Sequence, residues 1–69
     1  MPDHIYKTIE LYGSSTTGLQ DAIEKAVAKA ATTVRDMRWF QMTEVRGHIE
    51  GGKVQHWQVG VKVGFTVGD

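Results

Sequence analysis

Cysteine is absent from these 69 residues, and so is an excess of either charge. Without cysteine there are no disulfides and no thiolate metal sites. Lys plus Arg balances Asp plus Glu at eight each. A formal charge of zero argues against a general nucleic-acid binder or a ligand of anionic membranes. No apolar run approaches the ~20 residues of a membrane span. The opening MPDHIYK lacks the apolar stretch of a signal peptide, so a soluble, cytoplasmic protein is expected. There is no P-loop, dinucleotide fingerprint or nucleophile–base constellation. With no acid–base pair to do chemistry, the chain is not expected to be an enzyme. Internal repeats, linkers and low-complexity segments are missing too, which leaves one domain, 1–69. A domain of about 60 residues buries only roughly 60% of its unfolded surface and is marginal alone. With disulfides and thiolate metal sites excluded, packing and self-association are the remaining supports.

What is present reads as strand, helix, strand, strand. Residues 5–12 (IYKTIELY) place Ile5, Ile9 and Leu11 on one face and Tyr6, Thr8, Glu10 and Tyr12 on the other. Gly13-Ser14-Ser15-Thr16 reads as a breaker. Thr17 with Gln20 matches a capping box. Leu19, Ala22, Ile23, Ala26, Val27, Ala30, Ala31 and Val34 then recur at helical spacing, with charged residues on the other side. Their small side chains let a helix lie close to a sheet. The helix is expected to end between Val34 and Asp36. Strand–helix–strand makes the first two strands parallel, and a hairpin returns the third. An all-antiparallel sheet requires the third strand in the middle. The expected fold is α+β, a β-α-β-β unit whose three-stranded antiparallel sheet, order 1-3-2, packs on one helix.

The hairpin turns on Gly51-Gly52, since both glycines accept positive φ. With those two as the loop, Glu50 faces Lys53, Val45 faces Gln58, Met42 faces Val61, Gln41 faces Lys62, Phe40 faces Val63, Trp39 faces Gly64 and Arg38 faces Phe65. Opposed residues share a face. One face is apolar (Phe40, Met42, Val59, Val61, Val63, Phe65). The other holds Trp39, Gln41, Gln58 and Lys62 among Gly60 and Gly64. An aromatic beside glycines and amides suggests a platform for a planar ligand, with an interface anchor as the competing role of Trp39. Gln58 offers a donor and an acceptor side by side, and a flavin's pyrimidine edge alternates the same groups, with a solvated strand glutamine as the competing reading. Trp57 falls on the apolar face and is expected to pack. Val45 and Ile49 fall on the platform face, where they leave a patch that invites association. His48 and His56 should point to opposite faces, and His4 has no partner at ligand spacing, so no metal site is expected.

Taken in order, IYKTIELYG (5–13), the Ser/Thr turn at 14–17, the Ala-rich helix, Trp39-Phe40 before Glu44-Val45-Arg46-Gly47-His48-Ile49, and Gln58-Val59 before Lys62-Val63-Gly64-Phe65 form a set. That set resembles the dodecins, small flavin-binding proteins, over nearly the full length. The resemblance implies a hollow homo-dodecamer of cubic symmetry, with flavins stacked in pairs between tryptophans at subunit contacts. It implies FMN, or else riboflavin or FAD, and raises coenzyme A as a further ligand. Trp39 matches the stacking tryptophan and Gln58 the glutamine at the ring edge. Arg46 matches a basic position near the phosphates, although the hairpin register puts it on the face opposite Trp39. Thr66 stands where many bacterial members carry Arg or Lys, which removes part of a phosphate contact. The implied role is flavin storage and photoprotection, not turnover. The alternative is a structural interaction module without ligand, in which Trp39 anchors the subunit contact.

Overall fold

The structure, a computed structural model, describes residues 3–67. Strand β1 spans Tyr6–Ser15, helix α1 Leu19–Ala30, strand β2 Met37–Glu50 and strand β3 Lys53–Thr66. The sheet is antiparallel in the order β1-β3-β2, as the direction of the connections requires. Gly51 and Gly52 make the turn with φ of 61° and 76°. Both lie in the left-handed region that glycine enters without steric cost.

Two readings at the ends of the helix are corrected. Thr17 does not cap the helix. The N-cap residue is Gly18, with no side-chain cap. Ser15 organises the turn instead: its Oγ accepts from the N–H of Thr17 (2.9 Å) and Gly18 (3.4 Å) and donates to Asp21 (2.5 Å). Gln20 turns toward Glu24. Asp21 is held below the usual carboxylate range by the Ser15 hydroxyl first and Lys25 second. The helix also stops at Ala30, short of Val34. Thr32, Thr33 and Val34 close a terminal turn on the carbonyls of Lys29 and Ala30, and Asp36 at φ 63° redirects the chain into β2.

Gly13, read from sequence as a breaker, lies inside β1. A β-carbon there would collide with the carbonyl oxygen of Ala22 and press on Ala26. The glycine and the alanine stripe thus let α1 sit directly on the sheet. Ala22, Ala26, Val59, Val61 and Val63 are buried, with Ile9, Leu11, Ile23 and Met37 packed around them. The largest fully buried side chains are valines, so the core is thin.

The helix lies over β1 and β3 and not over β2. Phe40, Met42, Val45 and Ile49 on the helix side of β2 are each at least 44% exposed. The molecule measures 54 × 20 × 14 Å with a radius of gyration of 14.4 Å, against about 11 Å for a compact chain of this length. The hairpin therefore projects as an arm with one apolar side uncovered.

Candidate functional site

Three bulges set which side chains meet on the hairpin. The expected pairs Glu50–Lys53, Met42–Val61, Gln41–Lys62, Phe40–Val63 and Trp39–Gly64 all occur. Between Ile49 and His48 the register slips by one, with Gln55 extra on β3. Between Glu44 and Met42 it slips back, with Thr43 extra on β2. A third irregularity makes Arg38 extra, so Met37 rather than Arg38 faces Phe65. Because side chains alternate with period two, a slip of one residue exchanges faces. Between the first two bulges the straight register therefore fails. Val45 faces Val59, and Val45 and Ile49 move to the helix side. Arg46 faces Gln58 and joins Trp39 and Gln58 on the outer face. The expectation that Arg46 opposes Trp39 is overturned by these bulges. The expectation that His48 and His56 point apart fails for the same reason, because they are direct partners.

At one end of the outer face, the Trp39 indole lies across the backbone of Gly64. A β-carbon on Gly64 would fall within the contact distance of indole Cε2 and Cζ2. Tyr6 meets Trp39 edge-on, with centroids 6.1 Å apart and planes at 62°, a favoured aromatic arrangement. Trp39 remains 41% exposed. A large aromatic fixed from below and from the side, with area open to solvent, has the geometry on which a planar ring can stack. On the other side of the sheet, a cavity of about 220 Å³ opens between Val27, Met37, Phe40 and Val63, bordered by Trp39.

Further along, Arg46 Nε donates to Gln58 Oε1 at 2.8 Å. The Arg46 guanidinium carbon lies 5.3 Å from the Tyr12 ring centroid, within the range of a cation–π contact. Arg46 Nη1 is 3.7 Å from Glu44. Tyr12 donates to Glu44 at 2.6 Å across the gap left by Gly60. The hydrogen bond to Glu44, and then that carboxylate's charge, push the Tyr12 phenol up from its ordinary value. Thr43, the bulged residue, reaches Glu10 at 3.2 Å. The arginine is thus fixed by three neighbours, and the Gln58 amide nitrogen is left to donate elsewhere.

The three candidate residues, Trp39, Arg46 and Gln58, share a face but not a single spot. Trp39 sits over Gly64, six residues along β3 from Gln58. At about 3.3 Å per residue that is about 20 Å, longer than a three-ring heterocycle. One chain does not bring Trp39 and Gln58 onto one such ligand. Sequence reasoning missed Tyr6, Tyr12 and Glu44. The signal lay in the alternation of β1: paired to β3, Tyr6 and Tyr12 must share the Trp39 face. Thr66, opposite Tyr6, is the uncharged residue at the position noted above.

Among the described residues, no helix is long and apolar enough to cross a membrane, and no group of three or more His, Cys, Asp or Glu side chains could hold a metal ion. A family model described as dodecin matches residues 5–68. A dodecin of Thermus thermophilus is 44% identical over 63 residues, 91% of this chain and 91% of that protein. The structure of dodecin from Streptomyces coelicolor superposes with a TM-score of 0.91 at 45% identity, covering 100% of this chain and 99% of that one. A dodecin from Streptomyces davaonensis gives 0.90 at 35% identity, covering 99% and 100%. With this β-α-β-β fold and agreement over nearly the whole length, the chain belongs to the dodecin family.

Proposed function

We propose that this protein sequesters a flavin, FMN in the first place and riboflavin or FAD as variants, within a cytoplasmic homo-dodecamer. The observation that carries the reading is the Trp39 indole laid on Gly64, braced by Tyr6 and partly open to solvent. The residues fit an isoalloxazine. Trp39 offers a π face, Gln58 a free amide donor for the ring edge, and Arg46 a guanidinium for a phosphate of FMN or coenzyme A. A base–aromatic stack is typically worth about 1–3 kcal/mol, so Trp39 is the main contributor.

The separation along β3 bears on assembly. For one flavin to touch both Trp39 and Gln58, the two must come from different copies, so the site lies at a subunit contact. The bare helix side of β2 and the projecting arm favour the same conclusion, since exposed apolar strips of this kind are covered in stable proteins.

The role is storage and photoprotection rather than turnover. When bound, the flavin supplies a light-absorbing, redox-active ring. Trp39 would be the electron-rich side chain stacked on that ring, the role through which the protein would quench its excited state. None of the site residues is arranged as a general acid–base pair for a substrate. The test is direct: dialysis of flavin-free protein against FMN should leave a yellow protein whose flavin fluorescence is extinguished. Colourless protein with undiminished free-flavin fluorescence would refute the proposal, whereas steady NAD(P)H oxidation by the loaded protein would argue for an enzyme.

A further inference from the structure

His48 and His56 belong to nothing described so far. They are directly opposed on β2 and β3, on the outer face beyond Gln58 and toward the turn. Their rings are stacked, with centroids 5.3 Å apart and planes at 17°. We propose that this pair is a two-imidazole site for a divalent transition-metal ion of the Cu²⁺, Ni²⁺ or Zn²⁺ class, independent of the flavin site.

The pairing exists only because Gln55 is extra in β3. A straight register from the Gly51-Gly52 turn would set His48 against Gln55 and His56 against Gly47, with the rings on opposite faces. The bulge sets them side by side, where cross-strand β-carbons are about 4.5–5.5 Å apart. Two imidazole nitrogens each about 2.0–2.1 Å from one ion lie about 3 Å from each other. Rings stacked at 5.3 Å reach that spacing by tilting their nitrogen edges together, a rotation within reach of side chains at the rim of a hairpin. His48 is exposed and His56 half-buried, so His48 is the one that moves.

The neighbours define what the site takes. Glu50, two residues on, is opposed by Lys53. Arg46, two residues back, is engaged by Gln58. No group of three or more His, Cys, Asp or Glu ligands forms among the described residues, so water fills the remaining positions. An all-nitrogen pair suits imidazole-binding ions and not Ca²⁺ or Mg²⁺, which want oxygen. Within the class, the general order of affinity places Cu²⁺ first.

The experiment uses the full chain carrying His4→Gln, so that two histidines remain, stripped with a chelator and free of flavin. Cu²⁺ is titrated in, with calorimetry for affinity and electron paramagnetic resonance for the number of bound nitrogens. Two equivalent imidazole nitrogens are expected at one ion per chain. His48→Gln and His56→Gln should each weaken binding by at least the roughly 10–100-fold that loss of an outer-shell partner costs. Ca²⁺ should not compete. If the half-buried His56→Gln fails to fold, the exposed His48→Gln carries the test alone. A single-nitrogen spectrum, or equal affinity with and without His48, would overturn the site. Either result leaves the flavin reading untouched, because no flavin is present.

Discussion

Arg46 Nε donates to Gln58 Oε1 across 2.8 Å, although an unbroken hairpin would put these two side chains on opposite faces of the sheet. Two compensating bulges bring them together, one at Gln55 on β3 and one at Thr43 on β2. From Glu50 back to Trp39 the register is shifted only between them. The segment Glu44–His48 therefore presents Glu44, Arg46 and His48 to the face that carries Trp39.

Arg46 should accordingly separate phosphate from ring. Arg46→Ala is expected to weaken FMN more than riboflavin, because only FMN carries the phosphate, and the gap should shrink in high salt. Paired binding isotherms at two ionic strengths measure it. Gln58→Ala should weaken both flavins alike. A neutral hydrogen bond contributes about 0.5–1.5 kcal/mol, so the loss should be about tenfold or less.

Gly64 is the floor beneath the Trp39 indole. Any β-carbon there meets the indole, so Gly64→Ala must displace Trp39. Overpacking of this kind costs about 1–3 kcal/mol. The expected outcome is a lower melting temperature together with weakened flavin quenching. Unchanged quenching in the alanine variant would mean that Trp39 need not rest on the strand.

The Tyr12–Glu44 pair predicts a pH dependence of defined sign. The phenol's folded pKa is raised by its hydrogen bond to Glu44 and by that carboxylate's charge. Its contribution is fully present below the ordinary tyrosine range and is lost as pH rises through the raised folded value. Phenolate absorbance should thus develop at higher pH for Tyr12 than for a free tyrosine. Glu44→Gln should bring that titration back down.

Much of this was legible in the sequence. The strand order followed from connection direction, the helix from the alanine stripe, and the turn from two glycines. Trp39 over Gly64 followed from counting outward from that turn, because the two inner bulges cancel before position 42. Bulges themselves were not legible: neither Gln55 nor Thr43 differs in type from an ordinary strand residue. Hence Arg46, Val45 and Ile49 were assigned to the wrong faces and the histidine pair was missed. Gly13 was misread because a glycine that permits close helix approach looks, in sequence, like one that ends a strand. The capping box fails at its reciprocal bond, because Ser15 already takes the Thr17 amide that Gln20 would reach back to.

Assembly should depend on the uncovered side of β2. Met42 and Ile49 are 45% and 68% exposed on the helix side, where α1 does not reach. In the proposed dodecamer they would be buried, and a charge there would face a desolvation cost without a partner. Met42→Glu with Ile49→Glu is expected to convert the assembly to smaller species in sedimentation velocity. An undisturbed dodecamer would place the contact elsewhere.

The central claim is that Trp39 holds the flavin, and one paired measurement tests it. Flavin fluorescence is titrated with wild type and with Trp39→Ala, and the mass of each protein is taken by sedimentation in the same buffer. Loss of the stack should weaken FMN by roughly one to two decades and abolish most of the quenching while the mass stays that of the dodecamer. A variant that quenches as well as wild type, or that falls apart into monomers instead of losing flavin, would contradict the account.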